Sequence, residues 1–231
     1  MNRHDWATHF GAVSSASAST MGHVSPQSAA TDKAAYAVAL RAAPMTEAQR
    51  QYTLTVARGE GHYGVGWKYP NAKTIADSQK FGLTGYEGAD SNNWGATQGK
   101  GDVGSFPHVD YHANGEAYIG HYRKWSTPEL GYLDVAKIIL GGGKRGARGS
   151  AEIKAAIDRG DLAAAVEAQH ANGYFELAPS KYLIAVRRNY ADLTSVLGWR
   201  PLLTSSRKGW GTLAFLGAVG GIVAVSVGRR R

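Results

Sequence analysis

The sequence predicts an α+β chain, mainly helical: a helical body carries a small loop-and-hairpin lobe, and one C-terminal transmembrane helix follows. Three observations predict it. Helical periods with start and stop signals recur over 45–58, 128–140, 151–171 and 180–192. Between them, 62–114 is dense in Gly, Asn, Asp and aromatics and has few helical periods. Finally, 209–228 contains no charged side chain.

Taken in order, residues 1–43 are rich in Ala, Ser, Thr and His and are expected to form a flexible or loosely helical arm. Asp5 and Trp6 interrupt the start, and no apolar run follows Arg3, so a secretory-signal pattern is absent there. A folded domain is expected over 44–193. Its first helix, 45–58, has Thr46 and Gln49 at capping-box spacing, with Tyr52 and Val56 on one face. Gly59 and Gly61 should stop it, which leaves Glu60 where helix runs into loop.

A short helical stretch near Lys73–Lys80 interrupts the loops. A hairpin is expected around Val109–Tyr111 with its turn at Asn114-Gly115. Helices are expected again over Glu116–Lys124 and over Pro128–Leu140, the latter with Thr127 as N-cap and Pro128 at the first helical position. The run 141–149 (GGGKRGARG) reads as a flexible basic connector. Helices at Ala151–Asp158, Asp161–Ala171 and Ser180–Asp192 complete the domain, with Gly173 as a C-terminal cap. A basic linker (194–208), an anchor (209–228) and a basic tail (229–231) end the chain. At about 1.5 Å per residue, the 20 residues of the anchor come close to the thickness of a bilayer. Gly217 and Gly221 lie at small-xxx-small spacing within it.

Composition excludes several classes. The 231 residues include no cysteine, which removes disulfides, thiol nucleophiles and Cys-based zinc sites. The net charge of +8 divides as +1 for 1–43, +1 for 44–193 and +6 for 194–231. The folded domain is therefore nearly neutral, which argues against nucleic acid and for a tail that meets anionic lipid. His108, His112 and His121 invite a metal reading, but Pro107 breaks a shared helical face and no H-E-x-x-H arrangement occurs, so no metal and no cofactor is expected. A phosphate-cradling loop and a G-x-S-x-G serine context are both missing.

The residues that carry chemistry come in order. Val56-Ala57-Arg58-Gly59-Glu60-Gly61-His62-Tyr63-Gly64 ends a helix in an acid, glycines and an aromatic. Asn92-Asn93-Trp94-Gly95-Ala96 follows, then Asp110 on the expected hairpin, His121-Tyr122-Arg123-Lys124-Trp125, and Ala171-Asn172-Gly173-Tyr174-Phe175-Glu176. A Glu surrounded by Tyr63, Trp67 or Trp94 is partly desolvated, which raises its pKa and lets it hold a proton near neutrality.

Over about residues 46–192 this order resembles the lysozyme-superfamily glucosaminidases, the endo-β-N-acetylglucosaminidases of bacteria and phages. Their pattern is a catalytic Glu after a helix, an Asn-x-Phe-Gly-Ile-type motif, a hairpin acid, an aromatic-Arg segment and a late Gly-Tyr motif. Here Gly61-His62 stands where the family has Ser-Gly, and Phe175-Glu176 where it has Ala-Thr.

The resemblance implies a lysozyme-like domain that cuts peptidoglycan glycan strands, with Glu60 as general acid. Asp110 is the first choice for a second carboxylate, with Glu87 and Asp102 as alternatives; otherwise the substrate's own N-acetyl group serves as nucleophile, polarised or positioned by Tyr174, which is alternatively core beneath the last helix. Tyr63, Asn93, Trp94 and Tyr122 are the candidate substrate-binding residues; Asn93 alternatively holds its loop by backbone hydrogen bonds, and Trp94 is alternatively core. A late anchor without a signal pattern suits a phage virion protein that opens the wall locally, alongside other virion proteins; a bacterial envelope location is the alternative. The alternative activities are a lytic transglycosylase and a non-catalytic glycan-binding or structural membrane protein.

Overall fold

A computed structural model describes residues 26–42, 44–60, 62–64, 72–112, 114–175 and 177–200. Seven helices are described: α1 (Pro26–Ala42), α2 (Glu47–Glu60), α3 (Ala72–Lys80), α4 (Pro128–Leu140), α5 (Gly146–Asp158), α6 (Leu162–Ala171) and α7 (Pro179–Leu197). One antiparallel hairpin, β1 (Ser105–Tyr111) and β2 (Ala117–Arg123), lies between α3 and α4. The fold is thus mainly helical with a small two-stranded sheet.

Helix α2 is the axis of the body. Gln51 to Ala57 are all buried, because α1, α4, α5 and α7 pack around it. A helix buried on every side must satisfy its polar groups internally. It does so in part: Tyr190 donates to Gln51 Oε1 (3.1 Å), Thr55 to the Gln51 carbonyl (2.7 Å), and Tyr52 to Gln169 Oε1. The expected capping box is half formed. Thr46 Oγ1 accepts from the Gln49 amide (3.2 Å), but the Gln49 side chain turns to Asp158, at 3.0 and 3.1 Å.

The hairpin differs from the helix expected over Glu116–Lys124. Residues 117–123 pair in register with 105–111, Asp110 opposite Tyr118 and Phe106 opposite Tyr122. The physical reason is local. The Asn114-Gly115 turn returns the chain at once, with the Gly115 amide donating to the His112 carbonyl (2.8 Å), and a segment holding Tyr118, Ile119 and Tyr122 suits a pleated surface. The lobe is fastened to the body by the Arg123–Asp134 ion pair, while within the lobe the Tyr111 hydroxyl donates to Asp77 on α3 (2.8 Å). It also rests on a close approach at Gly131, where a side chain would overlap the Asn92 carbonyl.

Two domain boundaries shift. The arm expected over 1–43 is, for residues 26–42, a packed helix: Asp32, Ala35 and Ala39 fall on one face and are buried against the body. The linker expected from 194 begins later, because α7 continues to Leu197 and Trp199 packs against Tyr36 and Tyr190. The basic connector 141–149 is also ordered. Gly143 takes φ 46° and lies so close to the Asn172 carbonyl that no side chain fits; the Lys144 amide then bonds that carbonyl (3.0 Å), and α5 starts at Gly146. Among the described residues no helix is long and apolar enough to cross a membrane; the expected anchor, 209–228, lies outside them.

Candidate functional site

Glu60 is the last residue of α2 and is only 8% exposed. Its Oε1 accepts a hydrogen bond from the Tyr182 hydroxyl (2.9 Å), while Oε2 is buried without a partner among the described residues. Burial pushes the carboxyl up to about 7; the Tyr182 bond, which favours the charged form, opposes this more weakly. Tyr182 stands in the first turn of α7, started by Pro179, and its ring stacks on Phe175 at 4.0 Å.

Tyr174 belongs to the same environment. Its hydroxyl is pushed well above the usual tyrosine range, first by burial and then by the charges of Glu60 and Tyr52, and it hydrogen-bonds Tyr182. Tyr182 is raised likewise, by burial and then by Glu60, Tyr174 and Tyr52. Both phenols therefore keep their protons at ordinary pH and can donate or orient, but not act as bases. Glu60 and Tyr174, far apart in sequence, are thus brought together.

Asp110 is equally buried but differently engaged. Its Oδ2 accepts from Tyr122 (2.6 Å), Tyr118 (2.9 Å) and Gln98 (3.1 Å), and its Oδ1 from the Tyr111 amide (2.8 Å). These bonds lie within the hairpin and its flanking loop. The alternatives Glu87 and Asp102 serve turns. Glu87 receives the Thr84 and Gly85 amides (2.6 and 3.0 Å), which outweigh its partial burial and hold it below the usual carboxylate range. Asp102 is lowered by the Ser126 hydroxyl and amide.

The four expected substrate-binding residues are inward. Tyr63, Asn93, Trp94 and Tyr122 are 6%, 1%, 2% and 2% exposed. The Trp94 ring packs between Tyr63 and Tyr132, at 5.3 Å from each, and Tyr122 stacks on Phe106. Asn93 clamps its loop, donating to the Thr97 carbonyl and accepting the Thr97 amide, both at 2.9 Å. As placed, these residues form the frame behind the site rather than a sugar-contacting surface: aromatic rings here fill the core between loop and helix, where burial outweighs exposure. Trp67 lies outside the described residues.

The Asn93 loop nevertheless meets the Glu60 turn directly. Tyr63, φ 60° and ψ 30°, leads into Gly64, whose Cα faces the Asn92–Asn93 backbone so closely that a methyl would stand 2.9 Å from the Asn93 nitrogen. The histidines do not converge: His108 is buried edge-on to Tyr122, His112 stacks on Tyr118 (4.4 Å), and His121 is exposed on β2. Among the described residues no His, Cys, Asp and Glu group is placed to hold a metal.

Tyr182, Asp32 and Arg58 were missed in the sequence. Tyr182 had a signal in its place one turn into a Pro-started helix, eight residues after Tyr174. Asp32 had one in its spacing to Ala35 and Ala39. Arg58 had none, because its partners lie on α1 and α7. No family model matches the chain, and no curated protein or solved structure matches it.

Proposed function

We propose that the chain is a glycosidase that cleaves the glycan strands of peptidoglycan, with Glu60 as the general acid. One observation carries the proposal: a buried carboxyl at the end of the central helix, raised to about 7, bonded through one oxygen to Tyr182 and with its other oxygen without a partner among the described residues. Such a group is protonated near neutrality and offers that proton to a glycosidic oxygen.

In this account the Glu60 proton passes to the leaving oxygen as the C–O bond breaks. The acyl oxygen of the substrate's own N-acetyl group closes on the positive carbon, held by the Tyr174 hydroxyl. Water then opens that ring and returns a proton to Glu60. Among the described residues burial and Tyr182, not a second carboxylate, shift Glu60, which favours this substrate-assisted route over direct action by Asp110; Asp110 instead shapes the hairpin wall. The same single-acid arrangement serves a lytic transglycosylase, in which a sugar hydroxyl replaces water.

Mass spectrometry of digested sacculi separates the two. A reducing N-acetylhexosamine end supports hydrolysis, an anhydro-muramic end supports transglycosylation, and intact glycan would leave a non-catalytic glycan-binding or structural protein. Residues 209–228 are read as a lipid anchor, and the cellular context as a phage particle that opens the wall locally during infection. Absence of the protein from purified particles would contradict the latter.

A further inference from the structure

We propose that Asp32, on helix α1, is a positioning residue for Glu60: it holds both shoulders of the turn that carries the acid. The inference rests on Glu60 being the working group. Asp32 Oδ1 accepts from Arg58 Nε (3.1 Å), two residues before Glu60, and from the Tyr63 hydroxyl (2.8 Å), three residues after it. Asp32 is 2% exposed, so its charge requires a partner in place, and Arg58 supplies it.

The same arginine extends to the other wall of the site. Arg58 Nη1 reaches Asp192 Oδ2 (2.9 Å) and Asn189 Oδ1 (3.3 Å) on α7, the helix that carries Tyr182. Gly59 permits this approach, since a methyl there would stand 2.8 Å from Asn189 Nδ2. Arg58 thus ties α1, α2 and α7 together two residues before Glu60, and it fixes the register in which Tyr182 meets Glu60.

The other shoulder needs support of its own. Tyr63 sits in the left-handed region, which is strained for a residue with a side chain. Its hydroxyl on Asp32 and its ring against Trp94 hold it there. Without Asp32 the turn loses both of its described hydrogen bonds to α1, Arg58 keeps its α7 partners, and water gains access to Glu60. Asp32 makes no described contact with Glu60, so it acts through these two neighbours.

The test is a carbon-13 NMR titration of the Glu60 carboxyl in the full chain, assigned with Glu60→Gln, in wild type, Asp32→Asn and Tyr63→Phe. Steady-state cleavage of sacculi is measured alongside. The Glu60 midpoint should fall toward the ordinary carboxyl range in Asp32→Asn and, by less, in Tyr63→Phe. Within the glycosidase account, kcat should drop on the order of 10- to 100-fold in Asp32→Asn with KM nearly unchanged. Tyr63→Phe keeps the Asp32–Arg58 pair and so carries the test if Asp32→Asn does not fold. An unmoved midpoint in the folded variants, with only a lower melting temperature, would overturn the positioning role. Wild-type inactivity on glycan with a midpoint that still moves would instead overturn the proposed function alone.

Discussion

Two of the buried carboxylates, Glu60 in the helical body and Asp110 in the hairpin lobe, have the same 8% exposure and opposite surroundings. Asp110 receives four hydrogen bonds from its own lobe. Among the described residues Glu60 receives one, from a helix more than a hundred residues away in sequence, and its other oxygen has no partner there. Burial alone therefore does not make a catalytic acid. Burial with few donors raises a carboxyl's pKa, because the charged form then loses its hydration without replacement. Stability and proton-holding have been assigned to different lobes.

The largest stability effect expected from this contrast is a difference in sign. Glu60 has a folded-state pKa raised from 4.5 to about 7, so its favourable contribution is complete below about 4.5 and is lost as pH rises to about 7. Glu60→Gln cannot ionise. It should match wild type at acid pH and exceed it above pH 7 by up to about 3 kcal/mol, an upper bound set by the shift. Asp110→Asn should instead destabilise at neutral pH by about 1–3 kcal/mol, because it places an amide among donors that need an acceptor. Urea unfolding of both variants across pH 4–8 checks the pair. Two changes of the same sign at pH 8 would erase the distinction between the lobes.

The joint between the lobes comes next. Gly131→Ala puts a methyl into the Asn92 carbonyl and should cost about 1–3 kcal/mol by forced separation of α4 from the Asn93 loop. Thermal melting measures the cost, and an unchanged melting temperature would show that the close approach is not needed. The smallest effect belongs to Tyr182→Phe. It removes the one bond that lowers the Glu60 pKa, so the Glu60 midpoint and the alkaline limb of any activity should move up, by under about one unit for a bond worth roughly 1 kcal/mol. A downward move would show that Tyr182 acts chiefly by excluding water.

Much of the helical body was legible because its signals are local. Thr127 accepts from the Leu130 amide (3.3 Å), as the cap read from sequence should, while Asp161, expected inside its helix, caps it by accepting from the Ala164 amide (3.0 Å). Glu60 at the helix end was legible for the same reason. The second hairpin strand was not, since Ala117–Arg123 supports a helical period until the Asn114-Gly115 turn and the pairing to β1 override it. Nor was the role of Tyr63, Trp94 and Tyr122 as frame rather than surface, because aromatics serve core and cleft alike and only packing decides. The Tyr182–Glu60 bond and the Asp32–Arg58 tie span 122 and 26 residues, and no local pattern predicts such pairs.

The central claim, that Glu60 supplies the proton that breaks a glycan strand, is tested most directly by the release of soluble glycan from purified sacculi by wild type and Glu60→Gln at equal folded concentration. The account predicts release by wild type and a loss on the order of 10²- to 10⁴-fold in the variant. Equal release by both proteins would contradict it.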